Sequence, residues 1–429
     1  MKVLIISHNP LSTYQNMGKT MLSLFHNFSK SELCQLYIYP SLPDVDACSS
    51  FYRITDKDVV KSYFKFQVKG KEVTPDVQKH SVFENPQDEK VYRNRKNSSP
   101  FRMIARDLIW QFAGWYNRDL RNWLDRENPD SIFVAPGTAK FVYRMAVKIA
   151  QKRNIPIVTY ICDDYYFVKE SKTLLGMFQQ RMLKKSIKRL MEKTAKLITI
   201  CDELKECYTK EFDLPAATIM TGTNFPVAEK AILREVPTSI TYMGNISCNR
   251  YLSLAAMGRA LDELNAENGT CYSLKIYSGE KDRRILSYFD GIASVAFCGF
   301  VGGAEFNRIF HSADFLLHTE AFDDKSIDRV KHSVSTKIAD SLGSGIPLIA
   351  YGPEEVSSMK HLIRNDCAFA ITEPLELKEV LHKIFTESDR RKAVVENALR
   401  VARKCHSSAI SSKYLYDIFQ DITWKSVLN

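Results

Sequence analysis

Short apolar runs, each closing on a polar or glycine turn and followed by a helical stretch, recur along this 429-residue chain and constrain its fold more than any other feature. In the first half they are Val3–Ile6, Leu36–Tyr39, Ile132–Ala135, Ile157–Ile161 and Leu197–Ile200. The pattern restarts with Ile240–Met243, Leu274–Tyr277, Val295–Phe297, Phe315–His318 and Leu348–Tyr351. Continuous apolar runs of this length suit strands covered on both faces, and strands alternating with helices imply mostly parallel, doubly wound sheets. The expectation is two α/β domains, over 1–228 and 237–405. A polar elaboration falls at about 48–125, and a final helix, 406–429, packs back on the first domain.

In such sheets ligands bind beyond the C-terminal ends of the strands. His8, Gly137, Asp163 with Asp164, and Asp202 fall at those positions. The loop after the first run ends at Asn16-Met17-Gly18-Lys19, where Gly18 opens a helix.

The stretch from Ser335 to Pro353 carries the clearest chemical signal. Ser335 and Thr336 are residues that start helices, Gly343 and Gly345 end one, and Leu348-Ile349-Ala350-Tyr351 is a buried strand. A helix start attracts anions through its N–H groups and dipole, and Lys337 adds a full charge there. Asp340 follows three residues later on the same face, ~4.5 Å along the axis. That offset suits a nucleotide with its phosphate at the helix start and its ribose beside the next turn. Ile338 and Leu342 form the opposite, core-facing stripe. An ordinary capped amphipathic helix with a surface Lys and Asp is the competing reading.

Composition narrows the partners. Hydrophobic residues make up 45% and charged residues 26%, as in a water-soluble globular protein, and the net charge of +10 favours anionic partners. Ten cysteines without a CxxC pair point to reduced thiols in the cytosol and away from a zinc site. No apolar run reaches the length of a spanning helix. Gly18-Lys19-Thr20 lacks the first glycine of a phosphate-binding P-loop, and the loop from His8 to Gly18 lacks the glycines of a dinucleotide fingerprint. No nucleic-acid recognition motif is present.

Taken in order, these pieces resemble the GT-B class of glycosyltransferases, in particular the family-4-like group that builds bacterial surface polysaccharides. Lys196-Leu197-Ile198-Thr199-Ile200-Cys201-Asp202-Glu203-Leu204 resembles its K-L-I-T-I-S-E-x-L segment. Thr241-Tyr242-Met243-Gly244-Asn245 resembles the strand and turn opening its donor domain, and Gly299-Phe300-Val301 its G-F-V strand end. The Ser335 stretch resembles its S-x-K-x-x-E-Y-L-A-x-G-x-P signature. The resemblance covers most of the chain outside about 48–125. It implies two Rossmann-like domains and transfer of a hexosyl or related sugar from a nucleotide-sugar substrate, with no further cofactor. The acceptor would be a saccharide or lipid-linked molecule, and the enzyme cytoplasmic or peripheral on the inner face of a membrane. Gly244, Asn245 and Arg250 would hold the donor diphosphate with Ser335, Thr336 and Lys337, and Asp340 the ribose. Asn16, Gly18 and Gly137 would form the acceptor-side loops. Asp163, Asp164, His8 and Glu320 are the candidate catalytic groups, and no metal is expected.

Two departures stand out. Asp340 replaces the family's glutamate, and His332 stands where the first acid of its E-x7-E pair belongs. Glu320 and Asp328 match E-x7-D spacing only upstream of the signature. A sugar-nucleotide epimerase of the same fold, or a non-catalytic nucleotide-binding protein, is the alternative. Asp163 and Asp164 read either as acceptor ligands and general base or as a solvated loop pair capping a helix. His8 reads either as a contact to the reacting sugar or as a satisfied loop histidine. The basic segment 177–197 and the aromatic segment 101–123 read either as amphipathic helices on an anionic membrane or as helices packed on the core.

Overall fold

A computed structural model describes residues 1–13, 16–65, 70–77, 99–223 and 225–428. The chain divides into two compact units, Met1–Thr221 with Ser408–Asn429, and Gly222–Ser407.

The first unit is built on an eight-stranded sheet in the order β4-β3-β2-β1-β5-β6-β7-β8. Its strands are β1 Val3–Ser7, β2 Leu33–Tyr37, β3 Ser50–Arg53, β4 Lys71–Val73, β5 Ser131–Ala135, β6 Ile157–Ile161, β7 Thr194–Thr199 and β8 Ala216–Thr218. Every neighbouring pair is parallel except β3–β4. The central strand β1 is wholly buried and pairs Val3 with both Leu33 and Ser131, which is why it reads as an unbroken apolar run. The helices are α1 Asn16–Leu24, α2 Asp56–Lys65, α3 Pro100–Phe112, α4 Arg118–Glu127, α5 Lys140–Arg153, α6 Leu174–Met191 and α7 Asp202–Phe212.

The sequence places β2 three residues late. Ile38 and Tyr39 instead turn over the end of β1, where both backbone N–H groups donate to the His8 carbonyl. The segment read as an elaboration extends the sheet through β3 and the antiparallel edge strand β4. Neither candidate membrane segment is one helix. Residues 101–123 break at Gly114 between α3 and α4, and 177–197 run from α6 into β7. Trp110 and Trp123 are buried core residues, with Trp110 stacked 4.1 Å from Phe141.

The second unit has a six-stranded, fully parallel sheet in the order β11-β10-β9-β12-β13-β14. Its strands are β9 Ser239–Met243, β10 Ser273–Tyr277, β11 Val295–Phe297, β12 Phe315–Thr319, β13 Leu348–Tyr351 and β14 Phe369–Ile371. The helices are α8 Arg250–Asn268, α9 Arg283–Leu286, α10 Gly303–Ser312, α11 Asp324–Val330, α12 Thr336–Gly343, α13 Ser357–Arg364, α14 Leu377–Thr386 and α15 Ser388–Cys405. Leu254, Leu261, Leu274, Phe315 and Leu381 belong to its core. The chain then returns to the first unit as α16, Ser408–Leu428, whose Tyr416 and Phe419 rings meet Phe28 at 5.0 and 6.1 Å.

Residues 225–238, which the sequence divides between the end of the first expected domain and the gap before the second, are tied to the second unit. Ala228 N–H donates to the Gly343 carbonyl at 2.8 Å and Ile232 N–H to that of Gly345 at 2.7 Å. Gly345 adopts φ +78°, and a Cβ there would meet the Lys230 carbonyl oxygen at 2.8 Å. Gly345→Ala combines a left-handed backbone with a backbone clash, so it is expected to cost about 2–3 kcal/mol in chemical denaturation. A loss under about 0.5 kcal/mol would contradict this account.

Candidate functional site

In the second unit β9 and β12 are adjacent, while their successors β10 and β13 lie on opposite sides. The loops after β9 and β12 therefore diverge and open a crevice at the strands' C-terminal ends. The loop after β9 is tightly organised. Gly244 N–H donates to the Tyr277 carbonyl at 2.9 Å, and the Tyr242 hydroxyl to the Asn245 carbonyl at 2.7 Å. Asn245 Oδ1 accepts from Ser247 N–H at 2.7 Å. Cys248 and Asn249 both take φ 57°, a conformation that non-glycine residues adopt at a cost. The Asn249 side-chain amide donates to Asp323 Oδ2 at 3.0 Å and secures that turn. The chain so directed enters α8 at Arg250.

Arg250 meets Glu320, which follows β12. Its Nε donates to Oε2 at 2.8 Å and its Nη2 to Oε1 at 2.9 Å, a two-pronged pair with the carboxylate 4% exposed. Burial works against the Arg250 charge, but the Glu320 carboxylate overcomes it and holds the guanidinium above its ordinary value. Burial pushes the Glu320 carboxyl up, and Arg250 and Lys337 pull it back without cancelling the effect. Glu320, a candidate catalytic group in sequence, thus has both oxygens on Arg250 and anchors it. A Cβ at Gly352 would come within 3.1 Å of the Glu320 Cβ, so glycine there leaves room for this side chain. Asp328, its spacing partner in sequence, is exposed on α11.

The signature helix is α12. Ser335 occupies its N-cap position without a side-chain capping bond, and Thr336 is its first residue. Ile338 and Leu342 are buried on the opposite face, as the periodicity predicts. The Lys337 ammonium reaches Gly244: a Cβ at that glycine would stand 1.8 Å from Nζ. It also lies 5.9 Å from the Tyr242 ring centroid. Desolvation in this recess, then the neighbouring Arg250 charge, push Lys337 down to about 8. The residue as a whole is exposed, and it lines the pocket with Arg250 and Glu320. Asp340, one turn on, accepts from the Thr223 hydroxyl at 3.3 Å. Asn245, Arg250, Glu320, Ser335, Lys337 and Asp340 all line one pocket. Thr336 does not.

His318 lines the same pocket and had no signal in the sequence beyond its place at a strand end. Burial, Arg250 and Lys337 push it down to about 3, and its Nε2 lies 3.0 Å from the Ser358 hydroxyl. It is a neutral wall beside two cations. Phe306 and Phe310 complete the apolar side.

The remaining expected residues lie in the first unit, at the ends of β1, β5 and β6. Arg106 can only donate, so its 3.3 Å contact makes His8 Nε2 an acceptor and leaves the ring hydrogen on Nδ1, 2.8 Å from Asn9 Oδ1. Arg106 itself, unremarkable in sequence, also donates to Asp56 at 2.9 Å. Asp164 Oδ1 accepts from the Tyr166 and Phe167 N–H groups at 2.9 and 3.0 Å, which makes it a turn cap. Asp163 Oδ2 accepts from the Tyr165 hydroxyl at 3.3 Å. The Gly137 carbonyl accepts from Tyr143 at 2.7 Å. Gly18 packs under the preceding loop, where a Cβ would meet the Pro10 carbonyl oxygen at 2.6 Å. Asn16 opens α1, and its side chain lies outside the described residues. A wider groove lined by Met1, Asp130, Arg153 and Trp424 holds none of these residues.

No family model matches this sequence. No curated protein matches it. Solved structures do match over nearly the whole chain. Anabaena HepE in complex with UDP superposes with TM-score 0.61 at 11% identity, covering 98% of this chain and all of the other. A UDP-forming trehalose-phosphate synthase from Burkholderia xenovorans gives 0.63 at 10% identity, covering 98% and 99%. Sucrose-phosphate synthase from Thermosynechococcus elongatus gives 0.61 at 10% identity, again covering 98% and 99%. The fold is the GT-B fold of glycosyltransferases.

Breaking one side of a buried ion pair strands the other charge. Glu320→Ala is therefore expected to destabilise the protein by about 3–5 kcal/mol in urea unfolding. Glu320→Leu combined with Arg250→Met should recover most of that loss. Equal losses in the single and double variants would show that the pair is not the cause.

Proposed function

We propose that this protein is a glycosyltransferase that moves a sugar from a nucleotide-sugar donor to a hydroxyl of its acceptor. The observation that carries this reading is that Arg250, fixed by Glu320, and Lys337, at the start of α12 and against Gly244, line one pocket. Two cations at the end of a parallel sheet suit a diphosphate. Gly244 lets an anion approach the backbone closely. In transfer, the bond from the sugar's anomeric carbon to the phosphate oxygen breaks with its electron pair leaving on the diphosphate. The acceptor oxygen bonds to that carbon, and its proton passes to a base or to water. Charge grows on the departing phosphate, where Arg250 and Lys337 are already placed, so they stabilise the transition state more than the ground state. Neutral His318 adds no competing charge. Asp340, one helical turn from Lys337, receives the ribose hydroxyls.

The ligand of the HepE structure makes UDP the first nucleotide to test. The Ser335 signature supports a role in building cell-surface polysaccharide, on a saccharide or lipid-linked acceptor. Peripheral attachment at the inner face of the membrane goes with a lipid-linked acceptor. Without acceptor, a transferase leaves the nucleotide-sugar intact, whereas an epimerase of the same fold turns it over.

In a thermal-shift panel of UDP, GDP, ADP and CDP, one is expected to stabilise the protein by mass action, about 2.7 kcal/mol at a hundredfold excess over Kd. Lys337→Ala should lose at least tenfold in affinity. Equal shifts in both proteins would remove Lys337 from the site. Binding should also weaken above about pH 8, because a bound diphosphate favours the ammonium form and Lys337 loses its proton through that value. Calorimetric titrations at successive pH values should show wild-type affinity falling through this range and the Lys337→Arg protein staying level. Parallel profiles would overturn the assignment.

A further inference from the structure

The outward faces of α2, α3 and α6 reverse the usual order of apolar and polar residues. In α3, Phe101, Ala105, Leu108 and Phe112 recur at i, i+4, i+7 and i+11, one continuous stripe. That stripe faces outward, with Phe101 67%, Leu108 49% and Phe112 74% exposed. The inner face carries Arg106, Asp107 and Trp110. In α6, Leu174, Phe178 and Met182 are exposed along one line, which continues into exposed Lys185 and Arg189. Leu183, Ile187 and Leu190 turn to the core instead. α2 adds exposed Lys61, Tyr63 and Phe64. α3 packs against both other helices, so their outer faces form one surface.

Among the described residues of these three helices, the exposed charges have one sign. Helix α6 contains no acidic residue. The acids of α2 and α3 are all engaged. Asp56 accepts from Arg106 and Trp110, Asp58 from the Thr55 N–H and hydroxyl, and Asp107 pairs with Lys140 at 3.2 Å. What remains outward is an aromatic and aliphatic field rimmed by Lys61, Arg102, Arg181, Lys185 and Arg189. Among the described residues no helix is long and apolar enough to cross a membrane.

We infer that this three-helix face docks on a bilayer carrying anionic lipids. Phe101, Leu108, Phe112, Leu174 and Phe178 enter the boundary between headgroups and acyl chains, and the basic rim rests among the phosphates. A patch this apolar marks an interaction surface, and its single-sign rim selects an anionic one. The docking helix α3 also carries Arg106, which touches His8 at the end of β1. A lipid-linked acceptor held at the bilayer is thereby brought to the acceptor-side loops. The inference rests on the peripheral attachment proposed above and gives it a face.

Flotation with vesicles of phosphatidylcholine, with and without phosphatidylglycerol, tests both. The full chain is expected to float with the anionic vesicles at least tenfold better than with the neutral ones. The Phe112→Ser/Phe178→Ser variant should lose at least tenfold, and Lys185→Glu/Arg189→Glu should lose the preference for anionic lipid. All are surface changes, and unchanged melting temperatures would confirm that these variants fold. A Phe112→Trp reporter should be quenched by brominated acyl chains, and a Leu233→Trp reporter in the second unit should not. A wild-type protein that floats with neither vesicle overturns attachment and face together. Variants that float like wild type overturn the face alone. Self-association abolished by the same variants, without vesicle binding, assigns the face to a second copy and also overturns it.

Discussion

The candidate site depends on the ion pair between Arg250 and Glu320. The two residues stand on neighbouring strand ends, β9 through its loop and β12 directly, at the point where the sheet order reverses. Without Glu320 the guanidinium would have to find its own place in a crowded crevice. With both carboxylate oxygens engaged, its fork is fixed before any ligand arrives. Orientation fixed in advance costs no reorganisation when charge develops during reaction. The left-handed pair Cys248 and Asn249, secured by Asp323, delivers Arg250 to that position.

Lys337 is organised differently. Its ammonium has no carboxylate of its own within bonding distance among the contacts described, and it lies over Gly244 and beside the Tyr242 ring. Arg250 repels it. A cation held this way is poised for an external anion, which relieves both the desolvation and the repulsion. The crevice therefore combines a cation held by a carboxylate and one that has none among the described residues.

Much of the strand pattern was legible, because buried parallel strands must be continuously apolar and their turns cannot be. β1, β6, β9, β12 and β13 fall where their apolar runs lie. Elements with little burial escaped: β4 and β8 are three-residue edge pieces, and β14 is as short. An amphipathic pattern does not say which of its apolar positions face the core. The basic segment at 177–197 interleaves Leu183, Ile187 and Leu190 with lysines, yet those three residues face the core. The apolar residues that reach solvent, Leu174, Leu175, Phe178 and Met182, lie in the first half of the helix.

By itself the sequence determined the two α/β units, the helix after Ser335 with its core stripe of Ile338 and Leu342, the turn at Gly244 after β9, and the place of Lys337 at that helix's start. Local periodicity and turn chemistry suffice for these, since each is encoded within one or two helical turns. Only the tertiary structure decided what the acids do. Glu320 reaches Arg250 across 70 positions of chain, Asp164 closes its own turn, and Arg106 meets His8 from 98 positions away. Whether a carboxylate serves a substrate or an arginine depends on which strand ends the sheet brings together, and spacing along the chain carries no record of that.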